Sequence, residues 1–186
     1  MPTIYETLKD KEARYVLGEF GRRTLLVIGV NPSTATDMHY DQTIRRVKGY
    51  ALRQGFDGWV MLNLYPQRTT RPKGLHGEKE FNKSYHRNNL NQIEKVINKY
   101  RAKKIWAAWG NLISVRSYLN NCLKDIYSLT RSKQLKWCRL VRRTRRGHPR
   151  HPARMSYKEK LEDFDIESYL SSWMSDAKGA GLLGPS

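Results

Sequence analysis

Apolar positions along the chain fall into short unbroken runs, separated by longer stretches with helical spacing. Thr24-Leu25-Leu26-Val27-Ile28-Gly29-Val30 is a continuous β-branched and aliphatic run, the pattern of a strand covered on both faces. Trp59-Val60-Met61-Leu62-Asn63-Leu64, Lys104-Ile105-Trp106-Ala107-Ala108-Trp109 and residues 135–141 repeat it. Residues 14–20 alternate in part and are closed by Gly18 and Gly21, which predicts an edge strand. Between the runs, residues 41 to about 54 predict a helix, with Asp41 a candidate N-cap and Ile44, Val47, Ala51 and Leu52 at helical spacing. A second helix is predicted over residues 82–100, with Leu90, Ile93, Val96 and Ile97 as its stripe, and a third over 112–123. Ser156-Tyr157-Lys158-Glu159 reads as a capping box opening a last helix, whose apolar face is Leu161, Phe164, Leu170 and Trp173. From Asp176 to Ser186 no pattern remains, as expected of a disordered tail.

Strands alternating with helices predict an α/β fold: a three-layer α/β/α sandwich around a central, mostly parallel four-stranded sheet. Residues 1–175 would form one domain. Ligands of such sheets bind beyond the carboxyl ends of the strands. Those ends hold Asn31-Pro32-Ser33, Asn63-Leu64-Tyr65, Trp109-Gly110-Asn111 and the Arg/His-rich stretch 145–154.

Charge narrows the picture further. Lys and Arg number 35 and Asp and Glu 17 among 186 residues, a net charge of +18. Apolar residues make up 39%, enough for a core, so a disordered basic tail is excluded. An excess of this size implies a polyanionic partner, most often nucleic acid. The charge is also localised, because residues 131–154 carry ten Lys or Arg and no acid. No run suits a membrane span and the N-terminus is unlike a signal peptide. Cys122 and Cys138 make no disulfide framework. A monomer in the bacterial cytoplasm is expected.

Common nucleotide machinery is missing: there is no phosphate-binding G-x-x-x-x-G-K-[ST] loop and no G-x-G-x-x-G. No G-x-S-x-G elbow or H-E-x-x-H appears, and the pair His148 and His151 lacks further ligands, so neither metal nor cofactor is expected. Taken together, the strand ends resemble the uracil-DNA glycosylase superfamily. Gly29-Val30-Asn31-Pro32-Ser33 is similar to its water-activating G-x-[D/N]-P motif, and Leu62-Asn63-Leu64 to the segment whose asparagine reads the flipped base. Ile105 to Gly110 resembles the apolar strand ending in W-G, and His151-Pro152 the opening of the leaving-group motif. Within it, the order N-P-S, N-L, W-G, H-P resembles a divergent bacterial and phage branch of unknown function. Ser33 stands where an aromatic or glycine is usual, and His151-Pro152-Ala153-Arg154 lacks the serine and the apolar wedge of that motif.

The resemblance implies a monofunctional DNA glycosylase. It would hydrolyse the N-glycosidic bond of a flipped-out modified pyrimidine, uracil-type or a hypermodified cytosine of phage DNA, and leave an abasic site. A role in defence against phages follows from the phage-associated relatives. Asn31 would orient a water, with Asp41, Asp37 or the developing phosphate field helping to take its proton; Asn31 also suits a turn and Asp41 an N-cap. His151 would donate to the leaving base, or else belong to a phosphate-binding cluster. Asn63 would read the base edge, or simply cap a strand end. Pro32 and Ser33 would shape the pocket, and Tyr40 or Tyr65 could stack on the base. Arg68, Arg71, Lys73, Arg145, Arg146, His148, Arg150 and Arg154 would contact DNA phosphates. The alternative from another class is a nucleic-acid-binding module without catalysis.

Overall fold

A computed structural model describes residues 3–8 and 11–179. Its strands are β1 (Thr3–Thr7), β2 (Arg14–Glu19), β3 (Thr24–Gly29), β4 (Gly58–Asn63), β5 (Lys104–Ala107), β6 (Lys136–Leu140) and β7 (Leu161–Asp163). All join one seven-stranded sheet in the order β1-β2-β4-β3-β5-β6-β7. The neighbours β4, β3, β5 and β6 run parallel, with Thr24 opposite Gly58 and Gly29 opposite Asn63. On one side β2 and β1 add antiparallel, and on the other β7 does. The sheet is therefore mixed and larger than the four strands expected. β2 is not its edge: β1 covers it, a half-exposed Thr-Ile-Tyr-Glu-Thr segment too short and polar to stand out in the sequence.

Helices α1 (Gln42–Arg53), α2 (Lys83–Tyr100), α3 (Tyr118–Ser132) and α4 (Ile166–Gly179) cover both faces. Alternation along the buried strands sorts the core into two halves. Leu26, Ile28, Val60, Leu62 and Ile105 pack with α2, α3 and α4. Leu25, Val27, Trp59, Met61 and Trp106 pack with Ile44, Val47, Tyr50 and Ala51 of α1. Asp41 caps α1, its Oδ1 accepting from the Ile44 amide at 2.9 Å, and Asn82 caps α2 through the Tyr85 amide at 3.0 Å.

Downstream the fold departs from expectation in three places. The helix expected over 112–123 is a 3-10 segment (Gly110–Val115), a break at Arg116 and then α3. Arg116 is extended because its guanidinium donates to the carbonyls of Lys73, Leu75 and His76, which holds the loop before α2. Ser156 opens no helix. Its Oγ accepts from the Lys158 amide in a tight turn, and the chain then pairs as β7. Leu161 packs on the α1 side, whereas Phe164 and Leu170 lie in the opposite half of the core. α4 instead starts after Asp165, whose carboxylate accepts from the Ser168 amide and hydroxyl at 2.9 and 2.7 Å. It continues past Asp176 to Gly179; the rest of the expected tail, residues 180–186, and the Trp173 side chain lie outside the described residues.

Candidate active site

Beyond the carboxyl ends of the parallel strands lies a cavity of about 170 Å³. Asn31, Ser33, Asp41 and His151, from well-separated parts of the chain, line it together. After β3 the chain stays bonded to the segment following β4, through Leu64 N to Gly29 O, Tyr65 N to Val30 O and Thr69 N to Pro32 O. This pairing fixes Asn31. Its Nδ2 donates to the carbonyls of Pro32 and Thr69, both at 2.9 Å. With the amide nitrogen so occupied, Oδ1 is the atom left to accept a hydrogen bond in the cavity. Pro32 itself is buried and contributes its carbonyl rather than a lining surface.

His151 reaches the cavity from the far end of the basic loop. Gly110 supports it: its N–H donates to the Pro149 carbonyl at 2.9 Å, and its φ of 62° is one that glycine adopts freely. A Cβ at Gly110 would lie 3.1 Å from the His151 Cβ, so the two backbones approach closely. His151 caps the short Pro152–Arg154 turn, its Nδ1 accepting from the Ala153 amide at 3.2 Å. Burial keeps its pKa below the usual value, against the opposing pull of Asp41. The ring is therefore neutral at pH 7, with its proton on Nε2, a donor without net charge.

Asp41 has two positions at once, as N-cap of α1 and as a wall of the cavity. Asn63 does not line it. Its amide is buried behind Gly29 and Met61, which do, and both amide atoms lack a hydrogen-bond partner. A Cβ at Gly29 would lie 2.5 Å from Met61 Cε and 3.2 Å from Asn63 Oδ1. Glycine there keeps the Asn63 amide only one layer beneath the cavity floor.

Three expected site residues are elsewhere. Tyr65 is fully buried on the α2 and α3 side, its hydroxyl bonded to the Asn82 amide and His76 Nδ1, among Phe81, Tyr85 and Tyr118. It cannot stack on a base. Tyr40 donates to Glu19 at 3.0 Å and packs edge-on against Trp59, away from the cavity. His148 is no phosphate ligand: it is 0% exposed, with Nδ1 against the Tyr169 hydroxyl at 2.8 Å. Burial pushes its pKa down to about 4.

The basic residues divide by what they touch. Arg71 and Lys73 are exposed on the loop that supplies Thr69 and Thr70 to the cavity. Arg145 and Arg146 are exposed on the turn before His148, closed by Gly147 at φ 81°. Arg68 has structural bonds, to the Tyr5 hydroxyl and the Thr34 carbonyl, and Arg150 pairs with Glu159 at 3.9 Å. The Arg154 side chain lies outside the described residues. Sequence reasoning missed Arg14, Thr43, Thr69 and Thr70, which also line the cavity. A signal existed for Arg14, a charged residue heading an otherwise buried strand.

Residues 14–153 match a family described as a protein of unknown function, DUF1643. The chain belongs to the DUF1643 family. The matched span contains every cavity residue named above, from Arg14 to His151. No curated protein matches this DUF1643 chain, and no solved structure does. Among the described residues no helix is long and apolar enough to cross a membrane, and no group of three His, Cys, Asp or Glu could hold a metal ion.

Proposed function

We propose that this DUF1643 protein is a DNA glycosylase of the uracil-DNA glycosylase type, hydrolysing the N-glycosidic bond of a flipped-out modified pyrimidine. One observation carries the reading. A fixed acceptor (Asn31 Oδ1), a carboxylate (Asp41) and a neutral imidazole donor (His151 Nε2) meet in a single cavity. Glycosidic cleavage passes through an oxocarbenium-like sugar. Its two needs are a placed water and stabilisation of the departing base. Asn31 Oδ1 orients the water. Asp41 lines the same cavity, where it receives the water's proton and opposes the positive sugar. His151 donates from Nε2 to a carbonyl oxygen of the leaving pyrimidine. The exposed Arg71, Lys73, Arg145 and Arg146 supply the phosphate contacts that hold DNA. The unpartnered Asn63 amide supports base reading as well.

The test is base release. Purified protein is incubated with uracil-containing DNA, unmodified DNA, and DNA carrying hydroxymethylated or glucosylated cytosines, followed by alkaline cleavage and mass analysis. A released base and an alkali-labile site are expected from one of the modified DNAs. Release from a phage-type cytosine would also support a role in defence. Retention of every base, with salt-sensitive binding intact, would leave a non-catalytic nucleic-acid module.

A further inference from the structure

Arg14 is a charge in the wrong place for a purely structural residue. It heads β2 with only 2% of its surface exposed, yet it lines the cavity. Nη1 donates to the Ala35 carbonyl at 2.7 Å, while Nε is buried with no hydrogen-bond partner. Among the described residues no carboxylate lies within ion-pair distance of it. Asp41 acts on it from further away, and that carboxylate already accepts from the Ile44 amide. Burial and the charge of Arg68 pull the Arg14 pKa down to about 10, which still leaves a cation at neutral pH. A buried charge without a counter-ion is strongly unfavourable. Such a group beside a cavity marks the place where a ligand supplies the opposite charge.

The other lining residues say which ligand. Arg14 is the one Lys or Arg among them, and His151 contributes a neutral donor. Asp41 alone would repel any anion formed there. Taking the glycosylase reading as its basis, we propose that Arg14 is the counter-charge for the leaving base, making the cavity prefer a pyrimidine in its anionic form. In the reaction the bond from C1′ to the base nitrogen breaks with both electrons going to the base. Water adds to C1′, and the proton it loses ends on the base nitrogen. Between those events the base is an anion, and Arg14 supplies the positive field that His151 does not.

The probe is 6-azauracil, a free pyrimidine ring whose N–H ionises near neutrality. Its affinity is measured by equilibrium dialysis on the acid and alkaline sides of its own pKa, for wild type, Arg14→Gln and Arg14→Lys. Wild type is expected to bind the anion about tenfold more tightly than the neutral ring. Arg14→Gln should lose that preference, and Arg14→Lys should keep part of it. Equal affinity for both forms in wild type, no binding of either, or an unchanged preference in Arg14→Gln would overturn the proposal. The glycosylase reading fails separately. If no DNA releases a base while the Arg14-dependent preference persists, the anion site stands and only the reaction assigned to it falls.

Discussion

His151 Nδ1 is held by the Ala153 amide, and this single bond decides which nitrogen is left free to donate. His151→Ala removes the donor and should slow base release about 10²- to 10³-fold in single-turnover assays, with DNA affinity nearly unchanged. Gly110→Ala should act on the same group indirectly. The φ of 62° and the 3.1 Å approach to the His151 Cβ combine strain with a push on the imidazole. The expected loss is about 1 kcal/mol of stability in denaturant melts, with slower base release. Asn31, Asp41 and His151 were legible in the sequence because each terminates or caps an element, and such ends stay fixed when the pattern is right. Tyr65 was not, since β4 stops at Asn63 and strand alternation no longer tells where the next side chain points. His148 misled for another reason: five of its near neighbours, Arg142, Arg143, Arg145, Arg146 and Arg150, are basic, and nothing local announces the Tyr169 hydroxyl that buries it.

Asp41 belongs to an element as much as to a site, and two substitutions separate these roles. Asp41→Ala should destabilise the protein by about 1 kcal/mol through loss of the α1 cap, seen as a lower denaturation midpoint. Asp41→Asn keeps an acceptor for the Ile44 amide and should restore that stability. If base release stays low in the Asn variant, the carboxylate acts in the chemistry; if it recovers, the cap was all that mattered. Elements buried on both faces were the most readable part of the fold, because β3, β4, β5 and β6 present apolar side chains to two core halves. The pieces at the margins were not. β1 and β7 are short and half exposed, so their pairing partners, rather than their own composition, make them strands. The Ser156 capping box failed likewise: the pull of β6 on residues 161–163 outweighs a local preference worth about 1 kcal/mol.

Across the whole molecule, the positive surface and the buried histidine make separate predictions. Replacing Arg71, Lys73, Arg145 or Arg146 by Ala should each weaken DNA binding and lower the slope of log affinity against log salt by about 1, measured in salt titrations. His148 adds to acid sensitivity, in the same direction as His151. Unfolded, His148 binds a proton near pH 6.5; folded, only near pH 4. The unfolded state therefore holds more protons between those values, and stability is complete above about 6.5 and falls as pH drops toward 4. The loss is on the order of 3 kcal/mol, and His148→Gln should remove most of that dependence in melts across this range. The sheet order has a consequence for how the protein comes into being. β2 is made early but docks on β4, whose residues follow after two further elements, and the cavity closes only when His151 arrives. During translation the growing chain therefore carries much of its positive charge before the cavity is complete. A ribosome stalled ahead of His151 displays a polycation whose cavity still lacks part of its lining.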